Sequence, residues 1–300
     1  MSVINTNVAA TITSNALAKN DRAMAQSMER LSTGQRINSA SDDAAGLAIA
    51  SKMTSQIRGL DQAVRNGNDA ISMIQTADGA MVEVSNMLQR MRELTVQAAS
   101  GTNTSDDLAS LDIEFQALDD QIDAISINTE WNGQKLLDGS LGAVAFQVGA
   151  NASQTISVTF ADLNTDNSAT EATGAGTATT DMFTGLDNDV AASGTSTVDL
   201  DAQVITGSAQ GTTLGYLDRA LDRINSHRAT LGATINRLEY AVDNLANVSQ
   251  NATASRSRVQ DANYATESTE LARTQIIQQA GTAMLAQANQ QSQSVLALLK

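Results

Sequence analysis

The sequence predicts a mainly α-helical protein, an elongated hairpin of long helices with a terminal coiled-coil pair, an antiparallel helical rod and a small β-rich outer domain inserted in the middle. First, the 300 residues contain no proline, which would cost about 3 kcal/mol in a helix interior. Second, apolar residues recur at steps of three and four over long stretches, which keeps one helix face apolar. Third, only 3% of the residues are aromatic, so we expect a thin core.

The clearest apolar stripe lies in the C-terminal half of the chain. It runs in one phase from Leu214 to Leu245 and is interrupted at Arg228. A helix with such a stripe must cover it with partner helices. Partner helices with the same spacing are therefore expected in the N-terminal half.

Two helices with that spacing precede the stripe. The first is predicted to begin near Ser41, because hydroxyl side chains favour the N-cap position, and to end before Gly101. The next begins with Thr104 and Asp107, which have the spacing of a capping box. These two helices and the C-terminal stripe predict an antiparallel three-helix bundle.

The two ends of the chain carry weaker helical patterns. Near the N-terminus apolar residues recur every seven positions, with Met28 between two of them, up to a glycine of the C-cap kind at Gly34. The last segment, from Tyr264 onward, is rich in Ala and Gln. Such helices are marginal alone, so we expect the two ends to lie side by side.

Large apolar side chains at these ends would be exposed in a monomer. We interpret them as surfaces that become covered when many copies assemble. The candidate self-assembly residues are Leu17, Met24, Leu31, Ile277, Met284, Val295, Leu296, Leu298 and Leu299.

The middle of the chain has a different composition. Asn132-Gly133 is a turn signal, and β-like runs follow at 143–148 and 156–160. Residues 164–211 are dominated by small and polar types. We predict a terminal coiled-coil domain of residues 1–40 and 260–300, a helical rod domain of residues 41–137 and 212–259, and a variable β-rich domain of residues 138–211.

Charge and composition exclude several classes of function. The chain has 18 Lys and Arg against 33 Asp and Glu, a net charge of −15, which disfavours nucleic acid and anionic lipid as partners. There is no cysteine and one histidine, His227, which is expected to face solvent. No catalytic, cofactor-binding or metal-binding motif is present, so we expect no enzyme activity, no cofactor and no metal.

Targeting signals of the ordinary kinds are also missing from the sequence. No stretch reaches the ~18 consecutive apolar residues of a membrane span, and no basic segment followed by an apolar one opens the chain. We expect no membrane partner. This pattern predicts a cytoplasmic protein, or one exported by a route that reads another signal.

Several long motifs resemble bacterial flagellin. The longest is LSTGQRINSASDDAAGLAIA at residues 31–50, and a second is QRMRELTVQ at residues 89–97. Further matching segments lie at residues 4–7, 132–137, 272–281 and 286–290. The resemblance covers roughly residues 1–160 and 212–300.

The resemblance implies a structural subunit that self-assembles into the flagellar filament, a secreted extracellular protein exported unfolded through a type III route. It implies flagellar cap and hook-junction proteins and an export chaperone as partners. Host innate immune receptors are implied too. A Toll-like receptor would read Gln89, Arg90, Leu94, Gln97 and Glu114, and an intracellular sensor the C-terminal leucines.

Two other classes of protein remain open at this stage. A hook-filament junction protein shares the terminal helices, and polymerisation of the purified chain by itself would separate it from flagellin. A cytoplasmic coiled-coil scaffold would need no hydrophobic ends.

Overall fold

The computed structural model describes residues 7–163 and 210–297. The chain divides into two compact units. Unit 1 is drawn from Met1–Arg58 and Ser249–Lys300, and unit 2 from Gly59–Val248. The predicted three-part division at residues 40, 137, 211 and 259 stays a prediction.

The described residues form mainly helices, as the sequence predicts. The helices are α1 (Val8–Thr33), α2 (Ala44–Ala98), α3 (Ser105–Asn128), α4 (Gln210–Gln260) and α5 (Tyr264–Ala297). The strands are β1 (Glu130–Trp131), β2 (Gln134–Lys135), β3 (Ala143–Gln147) and β4 (Thr155–Thr159). β1 pairs with β2 and β3 with β4, both antiparallel.

Two helix ends follow the sequence signals closely. Gly34 ends α1 with φ of +70°, a left-handed conformation that glycine adopts without a steric penalty. At the start of α3 the Thr104 side chain accepts from the backbone N–H of Asp107, and the Asp107 carboxylate accepts from the backbone N–H of Thr104. The predicted C-cap and capping box are therefore both confirmed.

The predicted N-cap of α2 was wrong. Asp43 caps this helix instead of Ser41, because its carboxylate accepts from the backbone N–H of Gly46 at 2.8 Å. The preceding residues form a turn around Asp42, whose carboxylate accepts the backbone N–H of Ser39 at 3.0 Å. That hydrogen bond is the main reason that the pKa of Asp42 is lowered. The turn delays the helix by three residues.

The larger apolar core of unit 2 is shared by α2, α3 and α4. The prediction that these three helices pack together is therefore confirmed. The fully buried residues include Met81, Leu88, Leu94, Phe115, Ile122, Ile224 and Leu238.

The break in the stripe of α4 has a structural reason. Arg228 forms an ion pair with Asp78 of α2, with Nε to Oδ1 at 2.8 Å. Both side chains remain partly exposed, so the pair contributes under about 1 kcal/mol. The pair links α2 to α4 at the position where the apolar stripe is interrupted.

Both β-hairpins pack within unit 2. Asn132 and Gly133 have φ of 51° and 77°, which identifies the tight turn that the sequence predicts. The β-like runs are confirmed in β3 and β4, and Phe160 and Leu163 join the helical core. Residues up to 163 of the predicted outer domain thus share the core of the helices, and residues 164–209 lie outside the described residues.

We expect Leu238→Ala to destabilise unit 2 by about 2–5 kcal/mol, because its side chain is 0% exposed in the shared core. Tyr240→Ala, two residues away and 77% exposed, is the matched control, and we expect a change within about 0.5 kcal/mol. Urea unfolding monitored by the fluorescence of Trp131, the single tryptophan, measures unit 2. Equal effects of both changes would contradict burial of the stripe.

His227 is half-buried on α4, contrary to the expectation that it faces solvent. It lies one turn beyond the buried Ile224. Burial, and second the positive charge of Arg223, lower its pKa below the ordinary 6.5. The neutral form is therefore the one that the fold accommodates.

Because the folded pKa of His227 lies below the unfolded value, we expect unit 2 to lose stability as the pH falls below about 6.5. His227→Gln removes the titrating group and flattens this dependence between about pH 7.5 and 5.5, where most carboxylates stay ionised. The measurement is the urea midpoint of Trp131 fluorescence across that range. An unchanged slope in the variant would show that another group titrates.

Candidate self-assembly surface

Helices α1 and α5 form an antiparallel pair in unit 1. Polar contacts join residues whose numbers rise along one helix and fall along the other. Asn7 Nδ2 donates to the backbone oxygen of Ala288 (3.1 Å), Asn20 Nδ2 to that of Thr274 (2.8 Å), and Arg30 Nη1 contacts Glu267 Oε1 (3.1 Å). The predicted side-by-side packing of the chain ends is thereby confirmed over the described residues.

The segments beside this pair are tied together by backbone hydrogen bonds. The N–H of Arg36 donates to the carbonyl of Gln260 at 2.7 Å, and the N–H of Ala262 donates to that of Gly34 at 2.9 Å. Since Gly34 directly follows α1 and Ala262 lies two residues before α5, these bonds bring the adjacent helix ends together.

The seam of the pair has a regular heptad pattern. Every residue at these positions is buried or half-buried. On α1 the seam residues are Ala10, Thr13, Leu17, Asn20, Met24, Ser27 and Leu31. On α5 they are Glu267, Leu271, Thr274, Gln278, Gly281, Leu285 and Ala288.

The most buried seam residues are polar. Asn20, Ser27 and Thr274 are only 8%, 4% and 2% exposed. On α1 the predicted apolar residues at steps of seven alternate with polar residues at the same spacing, which were not predicted from the sequence. Met28, placed between them by that prediction, is exposed instead.

Large apolar side chains on this pair point away from the seam. The outward aliphatic and methionine side chains, between 41% and 67% exposed, are Val8, Ile12, Met28, Ile276, Ile277 and Met284. The pair therefore places polar groups at its most buried positions and leaves several large apolar groups exposed, which is unusual for a monomeric helix pair.

The predicted self-assembly residues fall into three groups. Leu17, Met24 and Leu31 are half-buried in the seam, so they hold α1 to α5. Ile277 and Met284 are exposed on α5. Val295 and Leu296 belong to α5, but their side chains lie outside the described residues. Leu298 and Leu299 lie outside the described residues altogether.

Three outward apolar residues were missed in the sequence reading. Val8 and Ile12 are one helical turn apart, and Ile276 adjoins Ile277. The signal that could have found them is that they fall outside the heptad seam, which leaves a helix with apolar residues on more than one face.

Charge is distributed unequally between the two units. Within the bounds of unit 1 there are ten Lys and Arg against seven Asp and Glu, a net charge of +3. Within those of unit 2 there are eight against 26, a net charge of −18. No charged residue occurs between Arg273 and Lys300. Copies of unit 1 can therefore pack densely without strong mutual repulsion.

The residues predicted for receptor recognition lie on α2 and α3 of unit 2. Arg90 Nε donates to Glu114 Oε1 at 2.9 Å, and Glu93 accepts from Arg90 Nη1 at 3.0 Å. These bonds, with Glu114 first, raise the pKa of Arg90. Gln89 and Gln97 are exposed nearby in sequence.

Leu94 differs from the other four recognition candidates. It is fully buried in the core of unit 2, so its side chain supports the surface from beneath and does not form it. We call the exposed residues Gln89, Arg90, Gln97 and Glu114 the recognition patch.

The described residues offer little for other kinds of chemistry. Over residues 7–163 and 210–297, no three His, Asp or Glu side chains come together in a way that could hold a metal ion. Within the same ranges none of the helices combines the length and apolarity needed to cross a membrane.

A helical pair with a polar seam and outward apolar residues defines a self-assembling structural subunit. Comparison with known proteins agrees. Residues 4–141 match the bacterial flagellin N-terminal helical region, and residues 214–299 the C-terminal helical region.

Relatives that match most of the chain are named flagellin. Flagellin of Bacillus subtilis is 45% identical over 314 residues, covering 99% of each chain. Flagellin of Halalkalibacterium halodurans is 44% identical over 278 residues, covering 92% of this chain and 91% of the relative. The crystal structure of Bacillus cereus flagellin aligns with a TM-score of 0.45 and 31% identity over 60% of this chain and 88% of that one.

The chain belongs to the bacterial flagellin family. It is a structural protein and not an enzyme, and it is a subunit of the extracellular flagellar filament. The resemblance noted in the sequence is thereby confirmed.

Proposed function

We propose that this chain polymerises by burying the outward apolar residues of α1 and α5 against neighbouring copies. The observation that carries the proposal is that polar residues take the most buried positions of the pair while large apolar residues stay exposed. Its seam holds Asn20, Ser27 and Thr274, whereas six large apolar side chains are exposed.

Burial of these side chains supplies a driving force of the right size. Each large apolar side chain contributes about 1.5–3 kcal/mol when it goes from full exposure to full burial. Because these six side chains are between 41% and 67% exposed, their burial favours association by roughly 5–10 kcal/mol per copy before entropy losses. The low net charge of unit 1 leaves little electrostatic repulsion to oppose this packing.

The finer roles of the chain follow from its family. We propose export in the unfolded state by a type III route, with an export chaperone holding the C-terminal region and with cap and hook-junction proteins as neighbours at the filament ends. We also propose the recognition patch, held in place by Leu94, as the surface that a host innate immune receptor contacts.

Under this proposal the candidate self-assembly residues have different roles. Leu17, Met24 and Leu31 hold the pair together, and Ile277 and Met284 meet neighbouring copies. Val295, Leu296, Leu298 and Leu299, whose side chains lie outside the described residues, are assigned to contacts with neighbouring copies from the sequence alone. The corresponding domain division is residues 1–40 with 260–300 for assembly, 41–137 with 212–259 for the rod, and 138–211 for the variable domain.

We expect Met284→Asp to abolish filament formation, because a carboxylate would be buried without a partner at the contact between copies. Met284→Leu keeps an apolar side chain and is the matched control, which should polymerise normally. Electron microscopy of purified protein at raised concentration measures both. Long filaments from Met284→Asp would refute the proposed contact, and failure of the unaltered chain to polymerise by itself would favour a hook-junction role.

We expect deletion of residues 295–300 to block polymerisation as well, while unit 2 keeps its stability. The apolar end residues would no longer be available to neighbouring copies, whereas the core around Leu238 is untouched. Sedimentation of polymer and urea unfolding followed by Trp131 separate the two effects. Normal filaments from the shortened chain would exclude a role for this end.

A further inference from the structure

We propose that Asn20 sets the register of the α1–α5 pair, and that this register aligns the outward apolar residues for assembly. The inference rests on the proposed function and extends it to one positioning residue. It depends on how the two heptad patterns can be combined.

The contact of Leu17 with Gly281 defines the register. A Cβ added at Gly281 would lie 3.0 Å from Cδ1 of Leu17, so the large side chain of one helix fills the space over the missing side chain of the other. Because the helices are antiparallel, a step of three residues forward from Leu17 on α1 corresponds to a step of three residues back from Gly281 on α5. This places Asn20 opposite Gln278. It also places Ser27 opposite Leu271.

The layer of Asn20 and Gln278 is polar on both helices. Asn20 Nδ2 donates to the backbone oxygen of Thr274 at 2.8 Å in a buried position. Gln278 Nε2 donates across the pair to Asp21 Oδ1 at 3.0 Å. Each residue of this layer thus donates one hydrogen bond to the opposite helix, a buried one from Asn20 and an exposed one from Gln278.

The apolar row of α1 does not distinguish this register from one shifted by seven residues. Shifting α1 by one heptad toward the C-terminal end of α5 would place Leu17, Met24 and Leu31 opposite Ala288, Gly281 and Thr274. All three partners are small, so the shifted pair has no steric obstacle there.

The polar layer does distinguish the two registers. After the shift Asn20 would face Leu285, and the ion pair of Arg30 with Glu267, now at 3.1 Å, would be broken. The backbone hydrogen bonds that join the adjacent helix ends would also be broken, so they favour the native register together with the polar layer. A buried polar residue in a coiled-coil seam is known to specify register at a cost in stability. Asn20 occupies the buried centre of this polar set.

Register matters for assembly because it positions the outward apolar residues. A shift of seven residues displaces Ile12 and Met28 of α1 relative to Ile277 and Met284 of α5 by about 10 Å. A neighbouring copy aligned with the outward apolar residues of one helix would then no longer be aligned with those of the other.

The test uses two substitutions of the same kind with opposite expected effects. Asn20→Leu places leucine opposite Gln278 in the native register and opposite Leu285 in the shifted one, so it favours the shift. Ser27→Leu places leucine opposite Leu271 in the native register and opposite Gln278 in the shifted one, so it favours the native register.

Engineered cysteine pairs measure the register directly, because the chain has no cysteine of its own. Ala10→Cys with Ala288→Cys reports the native register, and Thr13→Cys with Ser292→Cys reports the shifted one. Each pair is introduced into the unaltered full chain, the Asn20→Leu chain and the Ser27→Leu chain. After mild oxidation, non-reducing gels separate cross-links within one chain from those between chains.

We expect Asn20→Leu to raise the ratio of shifted to native cross-link by about tenfold, the factor that 1.4 kcal/mol produces, and to reduce filament yield. Ser27→Leu should leave the ratio unchanged or lower. An unchanged ratio in Asn20→Leu overturns the inference, and so does an equal rise in both variants, which would indicate general loosening. Filament formation by the unaltered chain tests the proposed function separately, since the cross-link ratio is also measurable in soluble protein.

Discussion

The antiparallel pairing of α1 with α5 is the constraint on which the assembly properties of this chain depend. The backbone hydrogen bonds of Arg36 and Ala262 bring the adjacent helix ends together. From there the heptad pattern continues the contact, and polar groups such as Asn20 and Thr274 occupy its most buried positions. Because polar side chains take these positions, several large apolar ones are left exposed outside the seam.

Unit 2 solves a different physical problem. Its apolar stripes find partners within the same chain, since α2, α3 and α4 share a core with the strands that follow α3. The ion pair of Arg228 with Asp78 sits where the stripe is interrupted. Unit 2 thus buries most of its large apolar residues itself, whereas the helical pair of unit 1 leaves several exposed, which are the residues proposed to meet other copies.

The distribution of charge matches this division of roles. Unit 1, with a net charge of +3, carries the surface proposed to meet other copies, and most of the negative charge of the chain belongs to unit 2. Charge placed on the self-assembly surface would have to be desolvated in every contact of a polymer. Charge on a solvated surface costs little and keeps the protein soluble.

Much of the local structure follows from short-range signals. The capping box of Thr104 and Asp107, the cap at Gly34 and the turn at Asn132-Gly133 depend on residues within a few positions of each other, and all three were predicted. The turn around Asp42 was not, because Ser41 and Asp43 are both good caps and only the hydrogen bonds of the folded turn choose between them. The partly buried position of His227 likewise depends on neighbours distant in sequence.

The sequence by itself determined the helical class, the stripe of α4, the paired ends and the family, because periodicity, composition and long motifs are properties of the chain alone. It also singled out Ile277 and Met284, which are exposed on α5. Only the tertiary structure decided which residues of α1 and α5 face each other, that the seam is half polar, that Leu94 is buried, and that Arg228 has a partner. A helical pattern tells which residues share a face, but the residue that each face meets is set by packing between segments far apart in the chain.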